Sequence, residues 1–316
     1  MVSPEDVVTA YRLFLDREPE NQAVVAEHSA APDLRALSKS FRGSEEFRAG
    51  QVVQLPDALD LAPPLPIEVE VNQELLGKMW ARVVQTWSRL GVSDPYWSVL
   101  SCEEFKGPNF EKNSQRFHST GEREVKRMAA WLERNGIPNL CHRLTCCEFG
   151  CGTGRVTRWL ASAFAKVAAC DVSQAHIDLA RGYLDRLGIA NVHFERIHSP
   201  DTPAFERVDF VFSFLVLQHN PPPLMAVMLT RMFQILKPGG VAFFQLPTYW
   251  ANYSFRAVKY LGTVPPYEFE MHVLPQRYVF AIAAAQNCEI LEVEPDPFVG
   301  SPRSISMTFL VRKRTV

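Results

Sequence analysis

The residues best equipped for chemistry lie mid-chain, in the run Cys147-Glu148-Phe149-Gly150-Cys151-Gly152-Thr153-Gly154-Arg155. A short apolar strand from Leu144 to Phe149 feeds three glycines at alternate positions. A helix follows, with Val156, Trp159, Leu160, Ala163 and Phe164 on one face. Glycine has no side chain to keep a ligand away, so such a strand, turn and helix lets a nucleotide-like ligand reach main-chain amides at a helix start. Spacing narrows the choice. A dinucleotide fingerprint G-x-G-x-x-G beginning at Gly150 needs glycine at 155, where Arg155 stands; the third glycine is Gly154. Glu148, on the strand itself, would repel a pyrophosphate and attract a cationic group.

Proton removal, if the chemistry needs it, falls to histidine, whose imidazole titrates near neutral pH. His219 follows an apolar strand, His272 lies in EMHVLPQ, and His118 beside Ser119 is a weaker candidate. Cys141, Cys146, Cys147 and Cys151, with His142, form no C-x2-C pair. A strand would send Cys146 and Cys147 to opposite faces, so no metal site is expected.

The elements that position these residues follow from periodicity. After Gly136, strand-like runs alternate with helical ones: LTCCEF, 155–165, KVAACDV, 174–187, NVHFERI, VDFVFSFLVL, 222–236 and GVAFFQLP. That alternation predicts an α/β fold with a doubly wound parallel sheet. Ser119 and Glu122 have capping-box spacing before a helix that buries Val125, Met128, Ala129 and Leu132. A long helix is predicted from Asn72, with Leu76, Met79, Val83 and Leu90 on one face and Gly91 as its stop. Between these two, aromatics and turn residues without a period suggest a loop with a short helix, serving as a lid. Pro56, Pro63, Pro64 and Pro66 mark a linker. Ahead of it, Ser3 caps a helix with Val7, Ala10, Tyr11 and Phe14 on one face, and Leu34, Leu37 and Phe41 form a second apolar set, followed by Gly43 and Phe47. The expected organisation is a helical accessory module at 1–50, a linker at 51–71, a helical and loop lid region at 72–118, and the α/β domain at 119–316.

Composition bounds the function. Of 316 residues, 47% are hydrophobic and 22% charged, which excludes disorder and disulfide scaffolds. Thirty-three basic against 35 acidic residues, a net charge of −2, give no reason to expect nucleic acid. No apolar run reaches the roughly 18–20 residues of a membrane span, and the N-terminus lacks a signal-peptide pattern. A cytoplasmic chain without an integral membrane segment is expected, its seven cysteines serving as buried hydrophobes.

E-F-G-C-G-T-G resembles motif I of the class I S-adenosylmethionine (SAM)-dependent methyltransferases. The likeness continues through VAACDVSQAHIDLAR, VDFVFSFLVLQHNPPP, ILKPGGVAFFQLP, CEILEVEP and SISMTFLVRK, in that family's order, over about 119–316. It implies a Rossmann-like seven-stranded sheet with an antiparallel last strand, and SAM as cofactor. The cofactor would be held by Glu148, Gly150, Cys151, Gly152 and Gly154, by Asp171 on the ribose hydroxyls with Val172 beside it, by Ile197 in the loop after the third strand, and by Phe214, Leu215 and Gln218 along the methionine and adenine pocket. Asp171 read without a ligand is a helix N-terminal acid. Where this family often has an acid or amide for the adenine, this chain has Ile197, His198 and Ser199, with Asp201 as a substitute. His219 lies where the family places groups near the transferred methyl, and His272 where acceptors bind.

Between the fifth and sixth strands an insert at 248–274 holds Tyr249, Trp250, Tyr253, Phe255, Tyr260, Tyr267 and Phe269. Such aromatics could stack on a sugar or ring-bearing acceptor, or serve as packing or a dimer face. At the N-terminus, YRLFLDREPE with LRALSKSFRGSEEF resembles a helical module related to the phycobilisome linker repeat, found in bacterial surface and glycan-biosynthesis proteins. Together these imply O-methylation of a sugar hydroxyl in surface polysaccharide biosynthesis, with a small-molecule or glycan acceptor. Alternatives are N- or C-methylation of a small metabolite, a non-catalytic SAM-binding scaffold, and a nicotinamide oxidoreductase.

Overall fold

The computed structural model describes residues 2–15, 17–44, 46, 64–137, 141–200, 207–299 and 303–315. The chain forms two compact units, Met1–Leu61 and Ala62–Val316. In the first unit, α1 (Pro4–Leu15), α2 (Gln22–Ser29) and α3 (Leu34–Gly43) enclose a small core of Val7, Ala10, Tyr11, Leu37 and Phe41. Ser3 caps α1 reciprocally: its hydroxyl accepts the Asp6 N–H at 3.1 Å, and its own N–H donates to the Asp6 carboxylate at 2.9 Å. Leu34, expected among the apolar set, is 59% exposed, because Asp33 caps α3 and puts Leu34 in the solvent-facing first turn. Phe47 lies outside the described residues.

The second unit opens with α4 (Gln73–Ser93), capped by Asn72. The helix runs through Gly91 instead of stopping there. A Cβ at Gly91 would meet Ser173 Oγ at 2.4 Å, so glycine serves close packing inside the helix. After α5 (Pro95–Val99) comes α6 (Asn109–Arg134), which begins ten residues before the expected capping box. Ser119 therefore sits mid-helix, its hydroxyl donating to the Arg116 carbonyl at 2.7 Å. Residues 111–116 are polar and carry no period, and packing from the sides makes them helical: Phe117 is fully buried, and Phe110 stacks on Tyr96. The expected boundary at 118/119 falls inside α6.

The rest alternates as predicted: β1 (Thr145–Phe149), α7 (Thr157–Ala163), β2 (Lys166–Asp171), α8 (Gln174–Arg186), β3 (Val192–Arg196), β4 (Val208–Ser213), α9 (Pro222–Gln234), β5 (Leu236–Trp250), α10 (Ala257–Leu261), α11 (Gln276–Ala285), β6 (Cys288–Asp296) and β7 (Ser304–Lys313). The strands form one seven-stranded sheet in the order β3-β2-β1-β4-β5-β7-β6. β1 to β5 pair in parallel, and β7 lies antiparallel between β5 and β6. Cys146 and Cys147 do face opposite sides, each joining a different apolar core. β1 and β4 are adjacent, with the order reversing between them, so a crevice opens where their carboxyl ends diverge.

Candidate active site

That crevice is a cleft of about 780 Å³, open to solvent. It is lined by Glu148, Gly150, Cys151 and Gly152 after β1, by Asp171 and Val172 after β2, by Ile197, and by Phe214 and Leu215 after β4. Four predicted residues lie outside this lining: Gly154, Gln218, His219 and His272. Gly154, at φ +84°, lets the turn pack on α8, where an added Cβ would meet Ala180 and Leu184, each at 3.2 Å. Asp201 lies outside the described residues.

The glycine turn makes close approach possible. Gly150 and Gly152 have φ of +82° and +51°, and added Cβ atoms would strike Val216 at 2.3 Å and Val99 at 2.7 Å. Its amides, however, do not face the cleft as free donors. Gly150 and Cys151 N–H both donate to the Cys170 carbonyl, at 2.8 and 3.0 Å, Gly154 N–H donates to the Cys151 carbonyl at 3.0 Å, and Gly152 N–H donates to Asp171 Oδ2 at 2.9 Å. Asp171 Oδ1 accepts the Ser173 N–H at 2.9 Å. Each carboxylate oxygen thus has one main-chain donor and spare acceptor capacity.

Glu148 is 3% exposed, and its Oε2 has no partner among the described residues. Burial pushes its carboxyl up to about 8, and the neighbouring Thr157 and Arg155 pull it back only in part. Arg155, which also lines the cleft, donates to Thr120 Oγ1 at 3.0 Å, while its Nε is unpaired. The cleft is therefore rich in acceptors: two carboxyl groups with unused capacity, and loop amides already bonded.

Sequence reasoning missed Val83 and Trp87 on α4, Ser98 and Val99 on α5, and His176 on α8, all of which line the cleft. His176 Nε2 lies 3.0 Å from Ser98 Oγ and 3.2 Å from the Pro95 carbonyl, and burial lowers its pKa. Trp87 carries Phe269 of the insert, stacked at 6.0 Å with ring planes 7° apart. The four-residue step from Val83 to Trp87 was a usable signal; the irregular segment holding Ser98 and Val99 gave none.

His219 sits one layer behind the cleft, 5.2 Å from the Trp87 ring. Its Nδ1 faces the Glu270 carbonyl at 3.0 Å and so carries the proton, leaving Nε2 to accept from Gln218 Nε2 at 3.3 Å. Burial holds its pKa down to about 4. His272 bonds the Tyr253 hydroxyl through Nδ1 at 2.9 Å, and burial takes it to about 3. Among the described residues no cluster of His, Cys, Asp and Glu could hold a metal ion, and no helix is long and apolar enough to cross a membrane.

Residues 147–240 match the methyltransferase domain family. Over 123 residues the chain is 32% identical to the trans-aconitate 2-methyltransferase of Methylobacterium radiotolerans, covering 38% of this chain and 44% of that protein. Over 133 residues it is 29% identical to the ubiquinone biosynthesis O-methyltransferase of Coxiella burnetii, covering 41% and 52%. The chain spans about half the length of the curated relatives it matches. Its fold is similar to that of the magnesium protoporphyrin IX methyltransferase of Synechocystis solved with bound S-adenosylhomocysteine (SAH), at a TM-score of 0.52 and 19% identity over 75% of this chain and 100% of that one. The chain thus carries a methyltransferase domain within a Rossmann-like methyltransferase fold.

Proposed function

We propose that the chain is a SAM-dependent methyltransferase acting on a small-molecule acceptor. The observation that carries this reading is the acceptor-rich glycine turn. A dinucleotide pyrophosphate would need free amides and no buried acid, whereas here the amides of Gly150, Cys151, Gly152 and Gly154 are bonded internally and Glu148 Oε2 has no partner among the described residues. An adenosyl sulfonium with an ammonium group suits that arrangement: Asp171 takes the ribose hydroxyls, Glu148 the ammonium, and Val172 and Ile197 flank the base. Bound there, SAM supplies an electrophilic methyl carbon. The protein's contribution is to hold the acceptor in line with the methyl–sulfur bond, an orientation effect worth about 7–11 kcal/mol in well-placed systems.

The finer reading is O-methylation of a sugar hydroxyl in surface polysaccharide assembly. It is supported by the resemblance of the N-terminal helices to a module of glycan-building proteins, and by the aromatic insert. Within that insert Phe255 and Tyr260 are buried in packing, while Phe269 stacks on the cleft-lining Trp87 and Tyr267 is 67% exposed. A second reading, N-methylation of a small metabolite, is favoured by the histidines: both nitrogens of His219 are engaged, and an amine acceptor needs no strong base. Labelled SAM offered with nucleotide sugars, phenols, carboxylic acids and amines separates these readings by the class that yields SAH. A thermal-shift comparison in which NAD(H) stabilises the protein and SAM does not would overturn the methyltransferase reading itself.

A further inference from the structure

Behind the cleft, β5 carries Gln245, a fully buried amide that the cofactor reading does not use. Three of its four hydrogen-bonding positions are used, two of them on the loop after β4 and one on β7. Oε1 accepts the Leu215 N–H at 3.3 Å, and Nε2 donates to Gln218 Oε1 at 3.1 Å and to Ser306 Oγ on β7 at 2.5 Å. Leu215 lines the cleft with φ at +60°, a left-handed conformation that L side chains enter at a cost. Leucine has no local side-chain bond to offset that cost, so the surroundings must hold it. The atoms that hold it belong to Gln245. The same amide fixes Gln218, which in turn orients His219 through Nε2 at 3.3 Å, and the Gln218 carbonyl receives the His272 N–H at 2.7 Å.

We infer that Gln245 is the positioning residue of the cofactor site: it clamps Leu215 in its left-handed conformation and thereby sets the shape of the 214–219 loop that receives SAM. This rests on the cofactor reading above. Among its hydrogen bonds, the one to the Leu215 N–H is the one that reaches a cleft-lining residue. A buried amide present merely to fill the core would affect stability and leave cofactor affinity alone.

Isothermal titration with SAH as the probe tests this, using the full chain. Wild-type protein that binds neither SAH nor SAM would sink the cofactor reading, independently of the clamp. With wild-type binding established, Gln245→Leu is expected to weaken SAH by at least about tenfold. The decisive measurement is a cycle with Leu215→Gly, because glycine adopts positive φ freely and needs no clamp. In the Leu215→Gly background the loss caused by Gln245→Leu should shrink to about threefold or less. Equal losses in both backgrounds, or wild-type affinity in Gln245→Leu, would overturn the inference. Should Gln245→Leu fail to fold, Gln245→Met, which keeps the side-chain length and loses the acceptor, replaces it in the same cycle, and position 215 tests the premise that positive φ matters there. Leu215→Val, whose branched Cβ resists positive φ, should bind SAH several-fold more weakly than Leu215→Gly, and equal or tighter binding by the valine variant would overturn it.

Discussion

Along the glycine-turn wall of the cleft, Glu148 Oε2 has no partner among the described residues, and Asp171 keeps acceptor capacity on both oxygens. Behind the facing wall, which α4 lines with Val83 and Trp87, polar groups of α4 and of residues 251–274 bond to one another. Arg82 makes a two-point ion pair with Glu270, at 2.7 and 3.1 Å, and donates to the Tyr260 and Thr263 carbonyls. Tyr260 donates to Glu270 at 2.9 Å, and Tyr253 bonds His272. The first wall is arranged for a ligand that donates hydrogen bonds and carries positive charge. The second is bonded largely to itself, leaving only Arg89 Nε and His272 Nε2 of these elements as buried nitrogens without a partner among the described residues, and it presents to the cleft the Trp87 ring with Phe269 stacked on it. The acceptor-bearing groups of the glycine turn are thus held by fixed main chain and strand ends, while the polar groups behind the facing wall are held by one another across distant segments.

Breaking the first wall should have the largest effect. Gly152→Val combines a forbidden backbone conformation with a Cβ set against Val99, so no SAM binding is expected by isothermal titration. Retained micromolar binding would place the cofactor elsewhere. Breaking the second wall comes next. Arg82→Ala leaves the half-buried Glu270 carboxylate without its cation, and stability in urea should fall by about 3–5 kcal/mol. A loss no greater than the 1 kcal/mol or so typical of surface pairs would show that the wall does not depend on this pair. Third is Asp171→Ala, expected to raise the SAM dissociation constant at least about tenfold, or about 1.4 kcal/mol. If affinity is unchanged, Asp171 serves only the Gly152 and Ser173 amides.

The two walls also differ in how far they could be read from sequence. Glu148, Gly150 and Gly152 are set by a local pattern, an apolar strand running into a glycine turn and a helix, which is legible within a few residues, while Asp171 and Ile197 came from the family resemblance through the order of its motifs. The facing wall is assembled across distance. Trp87 meets Phe269 and Arg82 meets Glu270 from segments more than 180 residues apart, and no periodicity links them. The start of α6 was hidden for the same reason: residues 111–116 are polar, and only the packing of Phe110 and Phe117 makes them helical. The bonded state of the loop amides was equally invisible, since the acceptors for Gly150, Cys151 and Gly152, the Cys170 carbonyl and the Asp171 carboxylate, lie on the neighbouring strand.

The smallest effect sharpens the contrast through pH. In the ligand-free protein burial holds the Glu148 carboxyl at about 8 against an ordinary value of 4.5, so the folded state keeps a proton that the unfolded chain releases. Its contribution to stability is complete below pH 4.5 and is lost as pH rises toward 8. A cation in the cleft reverses the preference, because the ammonium of SAM favours the carboxylate, and binding must then expel the proton. SAM affinity should therefore rise with pH, by at most about tenfold per unit, over roughly pH 6 to 7.5, above which the ligand's own amino group begins to lose its charge. Titration in two buffers of different ionisation enthalpy measures the proton released, and Glu148→Gln should flatten both the slope and the proton count. His219 and His272, behind the cleft and already neutral throughout this range, contribute no slope of their own, so a pH dependence that survives Glu148→Gln would move the charge-sensing group away from the glycine turn.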